Sequence, residues 1–277
     1  MRGLVRMGLS LLLVCGLAFA APLPAAARPA SALPAFGAMA TAGMDQGLFE
    51  QALRASRNGE AEQALPLWDR FLEQHPSDAA ALSNRGNVRL VLGDADGAIA
   101  DQTRAMELSP EEIDPHLNRG TAEEALQQWD AAAADYNWIL ERDPQEASAL
   151  YNLGNVRGSQ DAWTDAADLY GQASLARPGF AMARSSEALA HYQLEHWELA
   201  ERQLRNIIRR YPLFADARAG LSALLWRQGQ RGEAESHWAA ASGLDPRYGQ
   251  GDWLLEVRRW PPGPTADLMA FLRLETP

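Results

Sequence analysis

The sequence contains no lysine, so the 25 residues counted as lysine or arginine are all arginine, and it contains a single cysteine. Cys15 lies within the first 20 residues, where it belongs either to a plain export signal or to a lipoprotein signal that acylates the cysteine. Val14 stands where a lipoprotein signal requires a small residue, which favours the plain signal. The mature chain then has no thiol, which excludes disulfides, thiolate metal sites and cysteine catalysis.

Basic residues are also too few to balance the acidic ones. Against the 25 arginines stand 36 acidic residues, for a formal net charge of −11. No stretch concentrates arginine enough to follow a phosphate backbone, and the overall charge would repel one. We therefore do not expect nucleic acid as a partner.

The apolar run near the N-terminus, residues 9–20, is too short for a membrane span. Arg2 and Arg6 precede it, and Ala18-Phe-Ala20 matches an A-x-A cleavage site, with a second possible cut after residue 27. This pattern predicts a signal peptide over residues 1–20 and an exported protein. Residues 21–44 are rich in alanine and proline and carry one charge, so they are predicted to form a flexible linker.

The residue patterns that carry catalysis or bind metals are missing as well. His191 and His196 are five residues apart and do not match a metalloprotease helix motif. No G-x-S-x-G turn and no phosphate-binding glycine loop occurs, and residues 94–97 lack the closing glutamate of a calcium loop. We expect no enzymatic activity, no cofactor, no metal and no small-molecule substrate.

The sequence does have a strict period of 34 residues. Six prolines, six alanines and six small residues recur at this interval without an insertion. The three columns are Pro76, Pro110, Pro144, Pro178, Pro212 and Pro246; Ala64, Ala98, Ala132, Ala166, Ala200 and Ala234; and Ala52, Gly86, Gly120, Gly154, Ala188 and Ser222. Phase held over six units indicates a repeat array over residues 45–248.

Each repeat is predicted to form two antiparallel helices. In the fourth repeat they cover residues 147–158 and 163–176, with Asp161 or a neighbour starting the second helix. The proline ends the turn into the next repeat, because it cannot donate a helical hydrogen bond. Small residues let the helices approach closely, and large aromatic side chains fill the gaps between stacked repeats. These aromatic residues are Trp68, Tyr136, Tyr170 and Trp238.

These positions resemble the tetratricopeptide repeat (TPR) family. The resemblance is carried by Leu150-x-x-Leu153-Gly154, followed by Ala166, Tyr170 and Pro178. It implies an all-α, right-handed solenoid of six helix-turn-helix TPR units over residues 45–248, closed by capping helices within 249–277. It also implies a protein partner, although a repeat fold serves many functions.

In such arrays the first helix of each repeat lines the concave side. The inward columns carry spaced aromatic, amide and arginine side chains that suit an extended peptide or a partner helix. The candidates here are Tyr151, Asn155, Tyr192, Trp226 and Arg227. The alternative is that Tyr192 and Trp226 pack against neighbouring repeats or against the end helix.

Two asparagines, Asn87 and Asn118, have the spacing of the asparagine pair with which chaperone-binding arrays grip a terminal carboxylate. The cationic positions that should accompany them fall on Ser83, Ser148 and Asn152, so we do not expect a carboxylate clamp. Both asparagines remain partner-binding candidates. Trp138 interrupts a polar column and marks either a second contact face or a tryptophan lying flat over its neighbours.

Residues 249–277 break the period. A helix over about residues 252–259, capped by Asp252, is predicted to cover the sixth repeat, and three prolines end it. Thr265 is then predicted to cap a short helix over residues 266–274. The segment is chiefly a cap of the array, with Arg258 and Arg259 as further partner contacts.

The tail and the signal peptide together resemble repeat proteins of the chloroplast thylakoid lumen and their cyanobacterial relatives. This resemblance implies a thylakoid lumen or a bacterial periplasm. We expect an exported adaptor or assembly factor that binds a partner protein. In one form of this hypothesis, the partner is part of a membrane-associated photosynthetic complex. The alternative is a structural scaffold of a cell-envelope machine.

Overall fold

The computed structural model describes residues 36–274, with side chains from residue 46 onward. The predicted signal peptide, Cys15 and the first part of the predicted linker lie outside the described residues. The α-helices are α1 Phe36–Arg57, α2 Ala61–Gln74, α3 Ala79–Val91, α4 Ala95–Leu108, α5 Ile113–Ala125, α6 Trp129–Arg142, α7 Ala147–Ser159, α8 Trp163–Ala176, α9 Ala181–Gln193, α10 Trp197–Arg210, α11 Ala215–Arg227, α12 Arg231–Leu244 and α13 Pro262–Leu272. A 3-10 turn, Pro246–Gly249, and a π-helical turn, Trp253–Val257, lie between α12 and α13.

The helix pairs confirm the all-α repeat prediction. In the fourth repeat, α7 ends one residue beyond the expected residue 158, and α8 has the expected bounds. No strand occurs between residues 36 and 274. Within this range, too, no helix is both long and apolar enough to cross a membrane.

The structure differs from the linker prediction at residues 36–44, which form the beginning of α1. This stretch contains Ala38, Ala40 and Ala42, and alanine has the highest intrinsic helix propensity. The segment runs into the first repeat without a proline or a cap to stop the helix. A low charge and missing periodicity were therefore insufficient grounds for a flexible linker here.

The chain divides into two compact units, of which the N-terminal unit ends at Ile139 and the C-terminal unit begins at Leu140. In the N-terminal unit α1 packs on α2, α2 on α3, α3 on α4 and α4 on α5. In the C-terminal unit each helix from α7 to α11 packs on the next one along the chain. The connections are short, which makes successive helices antiparallel neighbours.

The predicted columns explain how closely the helices pack. All six alanines of the alanine column are at most 1% exposed. A Cβ atom added to Gly120 or Gly154 would lie 2.7 Å from the ring of Tyr136 or Tyr170, so only glycine admits these rings. Trp68, Tyr136 and Tyr170 are buried as predicted. The columns therefore act as pairs, with a small residue on one helix opposite a large one on the next.

A further column lies in the turn between the two helices of each repeat. All six of its residues have positive φ, between 58° and 88°. They are Gly59, Gly93, Gln127, Asp161, Glu195 and Gly229. Asp161 thus takes a left-handed turn position, and Ala162 is the residue that precedes α8. A side chain at such a φ costs about 1–3 kcal/mol relative to an unstrained backbone.

This turn column generates a stability prediction. Replacing Glu195 by glycine should raise the free energy of unfolding by about 0.5–1 kcal/mol, because relief of backbone strain exceeds the added chain entropy of glycine. Glu195→Ala is the matched control, since it removes the same side chain but keeps the strain. Urea denaturation followed by circular dichroism measures both, and equal midpoints for the two variants would contradict the strain assignment.

Candidate partner-binding site

The tail, residues 246–274, lies on one face of the C-terminal unit. We call this the inner face; it is formed by α7, α9 and α11, the first helices of the fourth, fifth and sixth repeats. Arg258 pairs with Asp216 at the start of α11, and Arg259 contacts Ser159 at the end of α7. The chain then turns, and α13 packs on α11 and α9. The tail therefore crosses the inner face and returns over it.

The anchor of the tail is the carboxylate of Asp216, which is fully buried. Its Oδ1 accepts hydrogen bonds from the Tyr248 hydroxyl and the Trp260 indole, both at 2.9 Å. Its Oδ2 accepts from Arg258 Nη2 at 2.7 Å and from the Ser185 hydroxyl. A buried carboxylate is tolerated only when it is paired and hydrogen-bonded in this way. Three of these four donors belong to residues 248–260.

Arg258 is itself only 4% exposed. Burial alone would lower the pKa of its guanidinium, but the ion pair with Asp216 raises that pKa well above its ordinary value. Arg258 therefore remains charged inside the protein. The prediction of Arg258 as a partner contact is therefore corrected, because its side chain is buried and paired with Asp216.

A helical segment is present where one was predicted over residues 252–259, but it covers residues 251–257 and is not an α-helix capped by Asp252. The chain forms the π turn there, with the Arg258 N–H donating to the Trp253 carbonyl at 2.9 Å, and Asp252 makes no capping hydrogen bond. Trp253 and Arg258 are both buried although they lie five residues apart. A five-residue hydrogen-bonded turn brings residues at that spacing onto one side, whereas an α-helix would separate them.

The last helix also begins earlier than predicted. α13 starts at Pro262, and the Thr265 hydroxyl donates to the Pro261 carbonyl at 2.9 Å within the helix, so Thr265 is not its cap. Pro262 and Pro264 occupy the first turn. Prolines are compatible with that turn because its N–H groups have no helical acceptor.

α13 is held by one apolar side and one carboxylate. Phe271 packs on Trp226 with ring centroids 5.3 Å apart, and Leu268 is fully buried. Asp267 accepts from the Tyr192 hydroxyl at 2.8 Å and from Arg227 Nη1 at 3.1 Å. Burial and the neighbouring Asp267 carboxylate raise the pKa of Tyr192, so its hydroxyl stays protonated and donates.

The predicted inner-face residues therefore contact the tail or the array itself. Tyr151, Tyr192 and Trp226 are at most 3% exposed, and the amide oxygen of Asn155 accepts from the Tyr170 hydroxyl at 2.9 Å. Only Arg227 keeps substantial exposure, 41% of its side chain. The expectation of an open groove at Tyr192 and Trp226 is corrected: the end helix covers both, as the alternative stated.

In the N-terminal unit, Asn87 and Asn118 are each 1% exposed and serve internal contacts. The Asn87 amide oxygen accepts from the Gln102 amide at 3.0 Å, and the Asn118 amide donates to the Ser83 hydroxyl at 3.3 Å. Their predicted role as partner contacts is thereby corrected. Asn87 bonds the second helix of its own repeat, and Asn118 bonds the first helix of the preceding repeat.

The family profile described as tetratricopeptide repeat matches residues 49–113, 117–181 and 186–250, more than half of the chain. The chain belongs to the TPR family. TPR proteins bind peptides and proteins and act in protein–protein interactions. Among curated proteins, none matches the sequence.

Solved structures resemble this TPR array in fold. A TPR protein from Parabacteroides merdae has 17% identity and a TM-score of 0.59, over 83% of this chain and 98% of that one. The Cut9–Hcn1 hetero-tetramer of the APC/C has 15% identity and a TM-score of 0.65, over 73% of this chain and 40% of that one. YrrB, described as a TPR protein with an unusual peptide-binding site, has 22% identity and a TM-score of 0.50, over 66% of this chain and 96% of that one. At these identities the likeness is one of fold.

Sequence reasoning missed a set of partly buried ion pairs in the N-terminal TPR repeats. Arg85 bridges Asp69 and Asp101, with contacts of 2.9 and 2.7 Å. One period later, Arg119 Nε donates to Asp135 at 2.7 Å. The signal was present, since both the arginines and their main acidic partners, Asp101 and Asp135, are 34 residues apart.

Trp138 belongs to the same surroundings. Its ring stacks on His116 with a centroid distance of 3.6 Å and an interplanar angle of 14°. His116 Nδ1 lies 2.8 Å from Asp135 Oδ1. Of the two alternatives for this tryptophan, the structure therefore has the one that lies flat over a neighbour.

The carboxyl group of Glu123 has a strongly raised pKa. The residue is 7% exposed, and burial together with the nearby Asp135 raises its pKa to about 7, although Arg119 opposes this shift. A carboxyl group with a raised pKa binds its proton more tightly in the folded state than in the unfolded state. Its contribution to stability is therefore present at acid pH and is lost as the pH rises from about 4.5 through 7.

Glu123→Gln removes this titration and tests it. We expect the wild type to lose about 2 kcal/mol of stability relative to this variant between pH 5 and pH 8. Urea denaturation across that range measures the difference, with Glu111→Gln on an exposed turn as the control. A wild-type-to-variant difference that does not change with pH would contradict a raised pKa.

The Asp216 anchor predicts an unequal effect of two neighbouring arginines. Arg258→Met should cost about 3–5 kcal/mol and free the tail, because it leaves the Asp216 carboxylate buried without its ion pair. Arg259→Met, which removes a 3.4 Å contact to Ser159 and leaves no buried carboxylate unpaired, should cost under about 1 kcal/mol.

Urea denaturation and amide hydrogen exchange over residues 246–274 measure this pair of variants. We expect fast exchange of the tail in Arg258→Met alone. Equal destabilisation by the two substitutions would show that Asp216 is not the anchor.

Proposed function

We propose that the chain is an exported adaptor that binds a partner protein on its TPR array and catalyses no reaction itself. One observation carries this proposal: the inner face of the C-terminal unit already holds a polypeptide, the chain's own α13. Tyr192 and Trp226, one repeat period apart, both contact that helix. A surface that binds a helix in cis has the chemistry to bind one from a partner.

The side chains of this face match the groups that a polypeptide presents. Trp226 receives an aromatic side chain, and Tyr192 and Arg227 together receive a carboxylate. The Gln193 amide oxygen accepts a backbone N–H, that of Gly263, at 2.7 Å. Apolar anchors, a charge contact and a backbone contact are the components of helix and peptide recognition.

The proposal includes the compartment. Arg2 and Arg6, the apolar run and the Ala18-Phe-Ala20 site support export to a periplasm or a thylakoid lumen. In a thylakoid lumen the partner would be a subunit of a membrane-associated photosynthetic complex during its assembly. Sequencing the N-terminus of the protein recovered from the lumen or periplasm tests this part, and an uncleaved residue 1 would contradict it.

Affinity capture with three matched variants tests the adaptor. Leu268→Asp with Phe271→Asp releases α13 from its own side and leaves the inner face intact. Tyr192→Ala with Trp226→Ala releases α13 by removing the inner face itself. Leu175→Asp, at a side chain of α8 that is 79% exposed, controls for added charge.

We expect one dominant partner, recovered about tenfold more with the α13 variant than with the wild type, since α13 competes for the face. The inner-face variant should recover none. Equal recovery by all variants would move the site off this face, and a partner held at fixed stoichiometry by every variant would favour the envelope scaffold. No partner from any variant would overturn the adaptor.

A further inference from the structure

The two halves of the tail are held unequally. The anchor half, residues 246–260, ends in three side chains that hydrogen-bond the fully buried Asp216. The α13 half has one side-chain ion pair, between Asp267 and Arg227, and the Arg227 side chain is 41% exposed. Its other polar contacts are single hydrogen bonds, from Tyr192 to Asp267 and from the Gly263 N–H to Gln193. Ion pairs this exposed contribute little to stability, whereas a buried pair is strongly destabilising to break. α13 is therefore the weakly held half.

α13 also depends on its binding face for its own structure. It has 11 residues, and isolated helices shorter than about 12–15 residues are marginal in water. Its apolar side is small, with Leu268 and Phe271 as the large buried side chains. A helix of this kind folds on docking and unfolds on release.

The fit between α13 and its site is imperfect at Trp226. This side chain is 1% exposed and packs on Phe271, yet its indole N–H has no acceptor among the described residues. A buried donor left unpaired is unfavourable compared with one that is hydrogen-bonded. A helix that brings an acceptor to this N–H has an advantage over α13.

We propose that Tyr192, Gln193, Trp226 and Arg227 form a helix-binding site that α13 occupies reversibly in cis. The ligand class is an amphipathic helix of a partner protein that carries an acidic residue one turn before an aromatic residue, as Asp267 stands before Phe271. The partner helix adds a hydrogen-bond acceptor for the Trp226 indole. This inference rests on the proposed adaptor function and specifies the partner.

The tail geometry favours a partner protein over a second copy of this chain. Trp260 is bonded to Asp216 of its own chain, and α13 begins at Pro262. A connection of two residues spans at most about 7 Å, too short to carry α13 to another molecule while the anchor stays in place. α13 can thus leave its site locally, but it cannot readily be exchanged.

A peptide titration tests the site directly. The probe is a fluorescein-labelled peptide of residues 261–274, added to the full-length mature chain as wild type and as the α13 variant Leu268→Asp with Phe271→Asp. We expect the variant to bind the peptide about tenfold more tightly, because its own α13 no longer competes. A scrambled peptide should not bind either protein.

The charge contact is tested in the same titration. A peptide with Asp267→Asn should bind the α13 variant about threefold more weakly, and this loss should vanish when Arg227→Gln is added to the protein. A peptide with Phe271→Ala should lose measurable binding. Peptides that bind equally with and without Asp267 or Phe271 would overturn the ligand class.

Hydrogen exchange of the wild type keeps the inference testable if the α13 variant fails to fold. Amide protons of α13 should exchange at least about tenfold faster than those of Arg258 and Trp260, which donate to backbone carbonyls at 2.9 and 2.8 Å. Exchange of both halves at one common rate would overturn reversible release. Light scattering that finds an α13-dependent dimer would overturn the partner in favour of a second copy.

Failure of this inference and failure of the adaptor are separable. Absence of peptide binding to the folded α13 variant removes the helix site, while a partner captured through another surface would leave the adaptor standing. Peptide binding without any captured partner would support the helix site and remove the adaptor.

Discussion

The buried carboxylate of Asp216 is the constraint on which the described tail depends. A charge removed from water must be compensated, and Tyr248, Arg258 and Trp260 supply that compensation from the tail. This fixes where the tail turns and where α13 begins. The inner face of α9 and α11 is covered because the anchor directs the following residues over it.

The N-terminal unit uses buried charge for a different purpose. Arg85 and Arg119 each connect the second helix of one repeat to both helices of the next, through Asp69 and Asp101 for the former and Thr103 and Asp135 for the latter. In the fifth repeat the corresponding position is Glu187, which accepts from Gln203 at 2.8 Å. One column of the TPR repeat thus holds successive helices together through either an arginine ion pair or a hydrogen bond between an amide and a carboxyl group.

The period predicted most of the fold because each repeat obeys local rules. Small residues such as Gly154, large ones such as Tyr170 and the prolines determine the helix pairs without reference to distant residues. The tail could not be predicted in the same way. The Asp216–Arg258 contact spans 42 residues and belongs to no period, and it selects a π turn over an α-helix. Tyr192 and Trp226 were identified correctly as inward residues, but their burial depends on that same distant contact.

Tandem-repeat proteins commonly change length by gaining or losing whole repeats, since each repeat contacts only its neighbours. The tail removes that freedom from the C-terminal unit. It contacts Ser159, Gln193 and Asp216, one residue from each of three successive repeats, and these contacts require one spacing between them. Duplication or loss of a repeat among these three would put the contacts out of register with a tail of fixed length. The number of repeats at the C-terminal end of the array is therefore fixed by the contacts that the tail makes with them.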